Sequence, residues 1–155
     1  MKKTANSNMY EVSLVRTWER FGAHLEGSDQ AIACVISHLP LSDAAKSAFA
    51  SSVAALGYGK AACTFVTLMG DEAPLDGSCL FTVVEGLDPL LLIIADDKAR
   101  EMCSEAYRQP IAAPDKGRLL GRDVVAFRDF EAMLQNNEDK QKAWGLLKRL
   151  PRLDS

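Results

Sequence analysis

An uninterrupted apolar run, Leu90 to Ala95, constrains the fold of this chain more than any other segment. It consists of leucine, isoleucine and alanine alone. Successive side chains of a strand point to opposite faces, so a strand that is apolar at every position must bury both faces. The run therefore predicts a central strand of a parallel sheet that has helices on each side.

Two further segments have the composition of strands, at residues 62–68 and 123–127, and helical patterns separate all three strands. Residues 31–37 are apolar but too short to assign, so they stay open as a buried helical turn or a fourth strand. Alternation of strands with helices favours a doubly wound layer. We predict a three-layer α/β/α fold with a small, mainly parallel sheet of roughly three to four strands.

The N-terminal part of the chain predicts two helices that pack on one face of this sheet. The first extends from about Met9 to Leu25 on an apolar stripe with helical spacing. The second begins after Ser42, a favourable N-cap residue, and ends at the glycines of residues 57–59. Residues 1–8 are predicted to be a flexible tail. Residues 110–121, broken by prolines and glycines, are predicted to be a loop.

Composition indicates one globular domain over residues 1–155, because 48% of the residues are hydrophobic and 25% are charged. A net charge of −3 makes nucleic acid an unlikely partner, since binding to phosphates favours a basic excess. The start Met1–Thr4 is followed by polar residues, which argues against export and against membrane insertion. The cysteines lack a C-x-x-C spacing and sit among apolar residues, as expected for buried thiols of a cytoplasmic protein.

Acidic residues follow each of the three predicted strands. Asp71 and Glu72 follow the first strand, Asp96 and Asp97 the second, and Asp129 the third. In open parallel sheets, ligands bind beyond the carboxyl ends of the strands. If the strands are neighbours, these carboxylates converge on one edge, where such groups can hold magnesium. We therefore take these five residues as a possible ligand or metal edge.

A structural explanation competes with that hypothesis. Asp96 and Asp129 stand where helix N-caps belong, and capping alone accounts for an aspartate there. No glycine-rich phosphate loop follows a strand, no serine stands in a nucleophile-elbow context, and neither His24 nor His38 is an evident partner for a cysteine. We therefore assign no catalytic residue, metal or cofactor.

Apolar stripes on the two terminal helices offer surfaces for a partner. The first stripe contains Trp18 and Phe21, and the last contains Trp144 and Leu147. Either stripe could pack on the core or stay exposed and contact another protein or a second copy of the chain. Basic residues near the C-terminus suit a helix C-terminus or an acidic partner.

Residues 62–134 resemble the uracil-DNA glycosylase superfamily. There, a strand ends in a loop of glycine, an acidic residue and proline that positions the attacking water, and residues 70–74 are similar. The break at Asp88-Pro89 before an apolar strand and helix is also similar. Where the family has a His-Pro-Ser-like loop after its last strand, this chain has Arg128-Asp129-Phe130. The resemblance therefore implies a related α/β topology in a non-catalytic relative.

Taken together, the sequence predicts a non-catalytic domain that binds an unknown protein partner or forms a homodimer. The alternative is a ligand-binding or hydrolytic domain that uses the carboxylate-rich edge, in the manner of a divergent glycosylase-like binder of nucleobases or nucleic acid. An exposed apolar stripe would favour the interaction domain. An open, acidic pocket at the strand edge would favour the ligand-binding or hydrolytic domain.

Overall fold

The computed structural model describes residues 5–70 and 73–153, with side chains described from residue 13 onward. The chain is an α/β protein, and its described residues form a mixed sheet of six strands. The strands are β1 Leu25–Gly27, β2 Ala33–Ser37, β3 Cys63–Thr67, β4 Leu91–Ile94, β5 Asp115–Leu119 and β6 Arg122–Ala126. The helices are α1 Ala5–Phe21, α2 Asp43–Val53, α3 Gly77–Leu87, α4 Asp97–Tyr107, α5 Phe130–Met133 and α6 Asn137–Leu147.

The strand order is β1-β3-β2-β4-β6-β5. The four inner strands are parallel, and the strands at both edges are antiparallel to their neighbours. At the centre, Val35 pairs with Phe65 on one side and with Ile93 on the other. Residues 33–37 of the segment left open are thus a strand, and the apolar run is central as predicted. The sheet is larger and more mixed than the small, mainly parallel sheet that the sequence predicts.

Both edge strands fall in segments that were predicted to be something else. Residues 115–119, expected to lie in a loop, form β5 and pair with β6 in a hairpin. Its turn is Leu120-Gly121, with positive φ angles of 48° and 84°. Leucine rarely adopts this conformation, so the residues themselves do not indicate a turn. β1 begins at Leu25, where the first helix was predicted to end.

Helices cover both faces of the sheet, because alternate residues of each inner strand belong to different core clusters. In β4, Leu92 and Ile94 pack in the cluster that contains residues of α3 and α4. Leu91 and Ile93 pack with α2, α5 and α6 on the other side. Every residue of β4 is buried, as the apolar run predicts, whereas Leu90 at the start of that run lies outside the strand and is 60% exposed.

The two N-terminal helices lie on opposite faces, so the prediction that they share one face is wrong. Phe21 of α1 belongs to the cluster with α3 and α4, whereas Phe49 of α2 belongs to the cluster with α5 and α6. The first helix begins at Ala5 and ends at Phe21, before a short turn over Gly22–His24. Residues 5–8 are therefore helical and not a tail, and residues 1–4 lie outside the described part of the chain.

Helix caps are the local feature that the sequence predicts best. The side chains of Ser42, Asp96 and Asp129 accept hydrogen bonds from the backbone N–H of the third residue beyond each. Such caps satisfy donors that a helix leaves unpaired at its first turn. Over residues 5–70 and 73–153, no helix is both long and apolar enough to cross a membrane.

A cluster of charged and polar side chains joins α3, α4 and β6 at the amino end of the inner strands. The Arg122 guanidinium donates to Glu85 at 2.8 Å and to Asp88 at 2.9 Å, and its Nε donates to the carbonyl of Pro89 at 3.1 Å. Tyr107 donates its hydroxyl proton to Glu85 at 2.6 Å. Burial, and then this bond to a carboxylate, raise the pKa of Tyr107.

Candidate functional site

The carboxyl ends of the inner strands border a recess of about 430 Å³, next to the point where the chain reverses its direction across the sheet. The chain passes from β2 outward to β3, and then returns across β2 to β4. In doubly wound sheets, ligands bind at this switch point. A hydrogen bond joins the ends of the two central strands at this edge, since the backbone N–H of His38 donates to Asp96 at 2.9 Å.

The predicted acidic residues meet only in part. Asp71 and Glu72 lie outside the described residues. Asp96 and Asp129 come together, because their backbones form an isolated antiparallel bridge. Asp97 lies in the first turn of α4, and its carboxylate accepts a hydrogen bond from Arg100 at 3.0 Å.

The carboxylates at this edge serve the fold. Asp96 uses one oxygen as the cap of α4 and the other to accept from His38. Asp129 caps α5. Glu131, which the sequence did not single out, accepts from both the backbone N–H and the hydroxyl of Ser42 at 2.7 Å. Among the described residues, no three His, Cys, Asp or Glu side chains are placed to hold a metal ion.

The buried histidine His24 has a structural role. His24 is buried, and its Nδ1 lies 2.8 Å from the carbonyl oxygen of Thr67. A carbonyl can only accept, so Nδ1 carries the proton. This bond holds the turn that precedes β1 against β3.

Three of the four thiols are unsuited to nucleophilic chemistry in the folded protein. Burial raises the pKa of Cys34 to about 12 and that of Cys63 to about 12, and it raises the pKa of Cys103 as well. A raised thiol pKa keeps the sulfur protonated near neutrality, where only a thiolate attacks. These three cysteines are fully or largely buried, and Cys79 is only partly buried.

We expect the native protein to show one accessible thiol. At roughly pH 8, where an ordinary thiol is partly ionised, Ellman's reagent should label Cys79 rapidly, and the other thiols only after denaturation. Cys79→Ser should remove the rapid phase and leave the total after denaturation lower by one thiol. Rapid labelling of Cys34 in the folded state, located by mass spectrometry, would contradict this description of the core.

A second recess lies between α2, α5 and α6. Its volume of about 480 Å³ is larger than that of the recess at the strand ends. We call it the α2–α6 groove. The α2 wall is built from alanine and serine at i, i+3, i+4, i+7 and i+8, the spacing of one helical face. The opposite wall comes from α5 and α6 and is mainly apolar. The lining residues are Ala44, Ser47, Ala48, Ser51, Ser52, Phe130, Leu134, Lys140, Ala143, Trp144 and Leu147.

Trp144 is the largest exposed side chain in this groove. Its neighbours Ala143 and Leu147 are buried in the core, whereas 36% of Trp144 remains exposed. Lys148 places its ammonium 5.8 Å from the centre of the Trp144 ring. Of the two stripes predicted from the sequence, the one on α6 thus packs through Leu147 and leaves its tryptophan at the surface. Phe21, on the α1 stripe, is buried, and Trp18 packs against the same cluster.

The sequence indicates the tryptophan but not the groove. The signal for the α2 wall was present as small residues on the outer face of a predicted helix, opposite its buried residues Ala45 and Phe49. Nothing in the sequence indicated that α6 lies beside that face. A scan of protein-family models and a comparison with curated proteins both return no match for this chain.

Proposed function

We propose that this chain is a non-catalytic protein-interaction domain that holds an amphipathic helix of another protein in the α2–α6 groove. The partly exposed Trp144, set beside a wall of small side chains, is the observation that carries this proposal. Tryptophan is strongly enriched among the residues that dominate binding energy at interfaces. A groove between helices is a common receptor for an amphipathic helix, which inserts apolar side chains at helical spacing.

The dimensions of the groove suit such a ligand. The small residues Ala44 to Ser52 and the α6 segment from Lys140 to Lys148 each span about 12 Å, or two turns of a helix. Small side chains on one wall let the axis of a third helix approach closely, since interaxial distance depends on the side chains at the contact. The apolar side chains of the ligand would then pack against Trp144.

The proposal can be tested with three labelled synthetic helices of about 15 residues. They share one leucine face and carry glutamate, glutamine or lysine on the flanks. We expect at least one to bind saturably by fluorescence anisotropy. Ser51→Trp, which fills the groove from an exposed position, should abolish binding, and Trp144→Ala should weaken it about 30-fold. Gln141→Trp, on the exposed side of α6, should leave binding unchanged.

Two outcomes would contradict this function. If none of the three peptides binds saturably, the groove is not a receptor for amphipathic helices. If the peptide-free chain dimerises in sedimentation experiments and Ser51→Trp makes it monomeric, a second copy occupies the groove instead. The second result would support self-association, the other form of interaction expected from the sequence.

A second candidate function is the binding of a small ligand at the recess beyond β2, β4 and β6. The position of this recess at the switch point favours it, and Lys98 and Arg128 line it together with the aspartates. A nucleobase is the ligand that the resemblance to uracil-DNA glycosylases implies. Uracil or a uracil-containing oligonucleotide should then raise the melting temperature, and Arg128→Ala should reduce that rise. No rise with either ligand would exclude this candidate.

A further inference from the structure

We propose that the helix held in the α2–α6 groove is acidic, with carboxylates that pair with Lys140 and Lys148 on either side of its contact with Trp144. This inference rests on the proposed function and adds the chemistry of the partner. The observation behind it is the positive charge of the two lysines at the groove.

Lys140, Trp144 and Lys148 form one row on α6. They recur at intervals of four residues, so their side chains lie one above the other along the same face. Lys140 lines the groove, and the ammonium of Lys148 lies near the Trp144 ring. Trp144, the most exposed of the large apolar side chains that line the groove, is therefore flanked by a positive charge at each end.

Neither lysine has an ion-pair partner in the part of the chain that the structure describes. The other lysine of α6, Lys142, pairs instead with Glu138 at 3.6 Å, one turn away. No acidic side chain lines the groove among the described residues. A basic ligand would bring like charges together without compensation, whereas carboxylates about one turn on either side of an apolar anchor would meet Lys140 and Lys148.

The α2 wall of the groove is compatible with a charged helix. Ser47 and Ser51 on the α2 wall are exposed residues with polar side chains, so this side of the groove tolerates polar as well as apolar neighbours. Complementary charge at the rim mainly sets the choice of partner and the rate of association, while the desolvated centre supplies affinity. Trp144 would thus supply affinity, and the two lysines would supply discrimination.

The test compares the glutamate, glutamine and lysine peptides on the wild-type chain. We expect the order of affinity to be glutamate, then glutamine, then lysine, with about tenfold between the first and the last. Lys140→Glu/Lys148→Glu should reverse that order. Lys140→Gln/Lys148→Gln should remove the preference while leaving the glutamine peptide bound as before. Raising the salt from about 0.05 M to about 0.5 M should shrink the glutamate advantage.

A matched control is Lys60→Glu/Lys142→Glu, which changes the net charge equally at exposed positions outside the groove. It should preserve the order of the three peptides. Equal binding of all three peptides, or loss of the preference in this control, would overturn the acidic partner but leave the helix-binding groove intact. Failure of every peptide to bind would overturn the proposed function itself. Circular dichroism melts of each double variant show that it is folded.

Discussion

Replacing Arg122 with alanine is expected to lower the free energy of unfolding by about 3 kcal/mol. The side chain is only 10% exposed and binds two carboxylates and a backbone carbonyl. Its removal leaves Glu85 with the Tyr107 hydroxyl alone, in a half-buried position. An uncompensated charge in such a place costs more than the ion pair contributes when both partners are present. Urea unfolding followed by circular dichroism measures the change.

A nearby arginine supplies the control. Arg118 pairs with Asp123 in the β5–β6 hairpin, but its side chain is 60% exposed. We therefore expect Arg118→Ala to change the free energy of unfolding by no more than about 1 kcal/mol. Glu85→Gln in the Arg122→Ala background should recover part of the loss, because a neutral amide tolerates the site better. Equal effects of Arg122→Ala and Arg118→Ala would show that the buried cluster adds no more to the free energy of unfolding than the exposed ion pair does.

Gly86→Ala is expected to destabilise the protein by about 2 kcal/mol through overpacking between α1 and α3. A Cβ atom at Gly86 would lie 2.1 Å from Oγ1 and 3.2 Å from Cβ of Thr17. Thr17 is buried, its β-branched side chain has few rotamers, and its hydroxyl donates to the carbonyl of Ser13 at 2.8 Å. The clash is therefore relieved only if α1 moves away from α3.

The matched control is Gly145→Ala, a second glycine inside a helix. An added Cβ there meets nothing within 4 Å. This change should raise stability by about 0.5–1 kcal/mol, because alanine favours the helix more than glycine does. Thr17→Ala should reduce the cost of Gly86→Ala when the two are combined. A stabilising Gly86→Ala in urea unfolding would mean that α1 does not pack closely on α3.

The sequence predicts the centre of this fold better than its margins, for a physical reason. Burial on both faces leaves a continuous apolar run at β4, and capping needs an aspartate at one defined position, as at Asp96. The edge strand β5 is half exposed and mixes charged residues with glycine, which is also the composition of a loop. Its turn contains Leu120, and a leucine there gives no turn signal.

Which face a helix covers is not a local property. Both α1 and α2 carry an apolar stripe, and the crossover connections decide that the two helices lie on opposite sides of the sheet. The groove has the same origin. Its walls are about a hundred residues apart in sequence, from Ala44 to Trp144, and only the packing of α5 and α6 over α2 brings them together. By contrast, Asp96 and Asp129 could be recognised from the sequence because helix capping is a local property.

The antiparallel edges have a consequence for the behaviour of the chain at high concentration. Open sheet edges invite pairing between molecules, and proteins limit it with short strands and charged side chains. Here one edge, β1, is only three residues long, and the other carries Lys116 and Arg118, which both pair with Asp123. Strand addition between copies is therefore disfavoured at both ends of the sheet. We expect concentrated solutions to resist the growth of fibrils, and contacts with other proteins to form through helices.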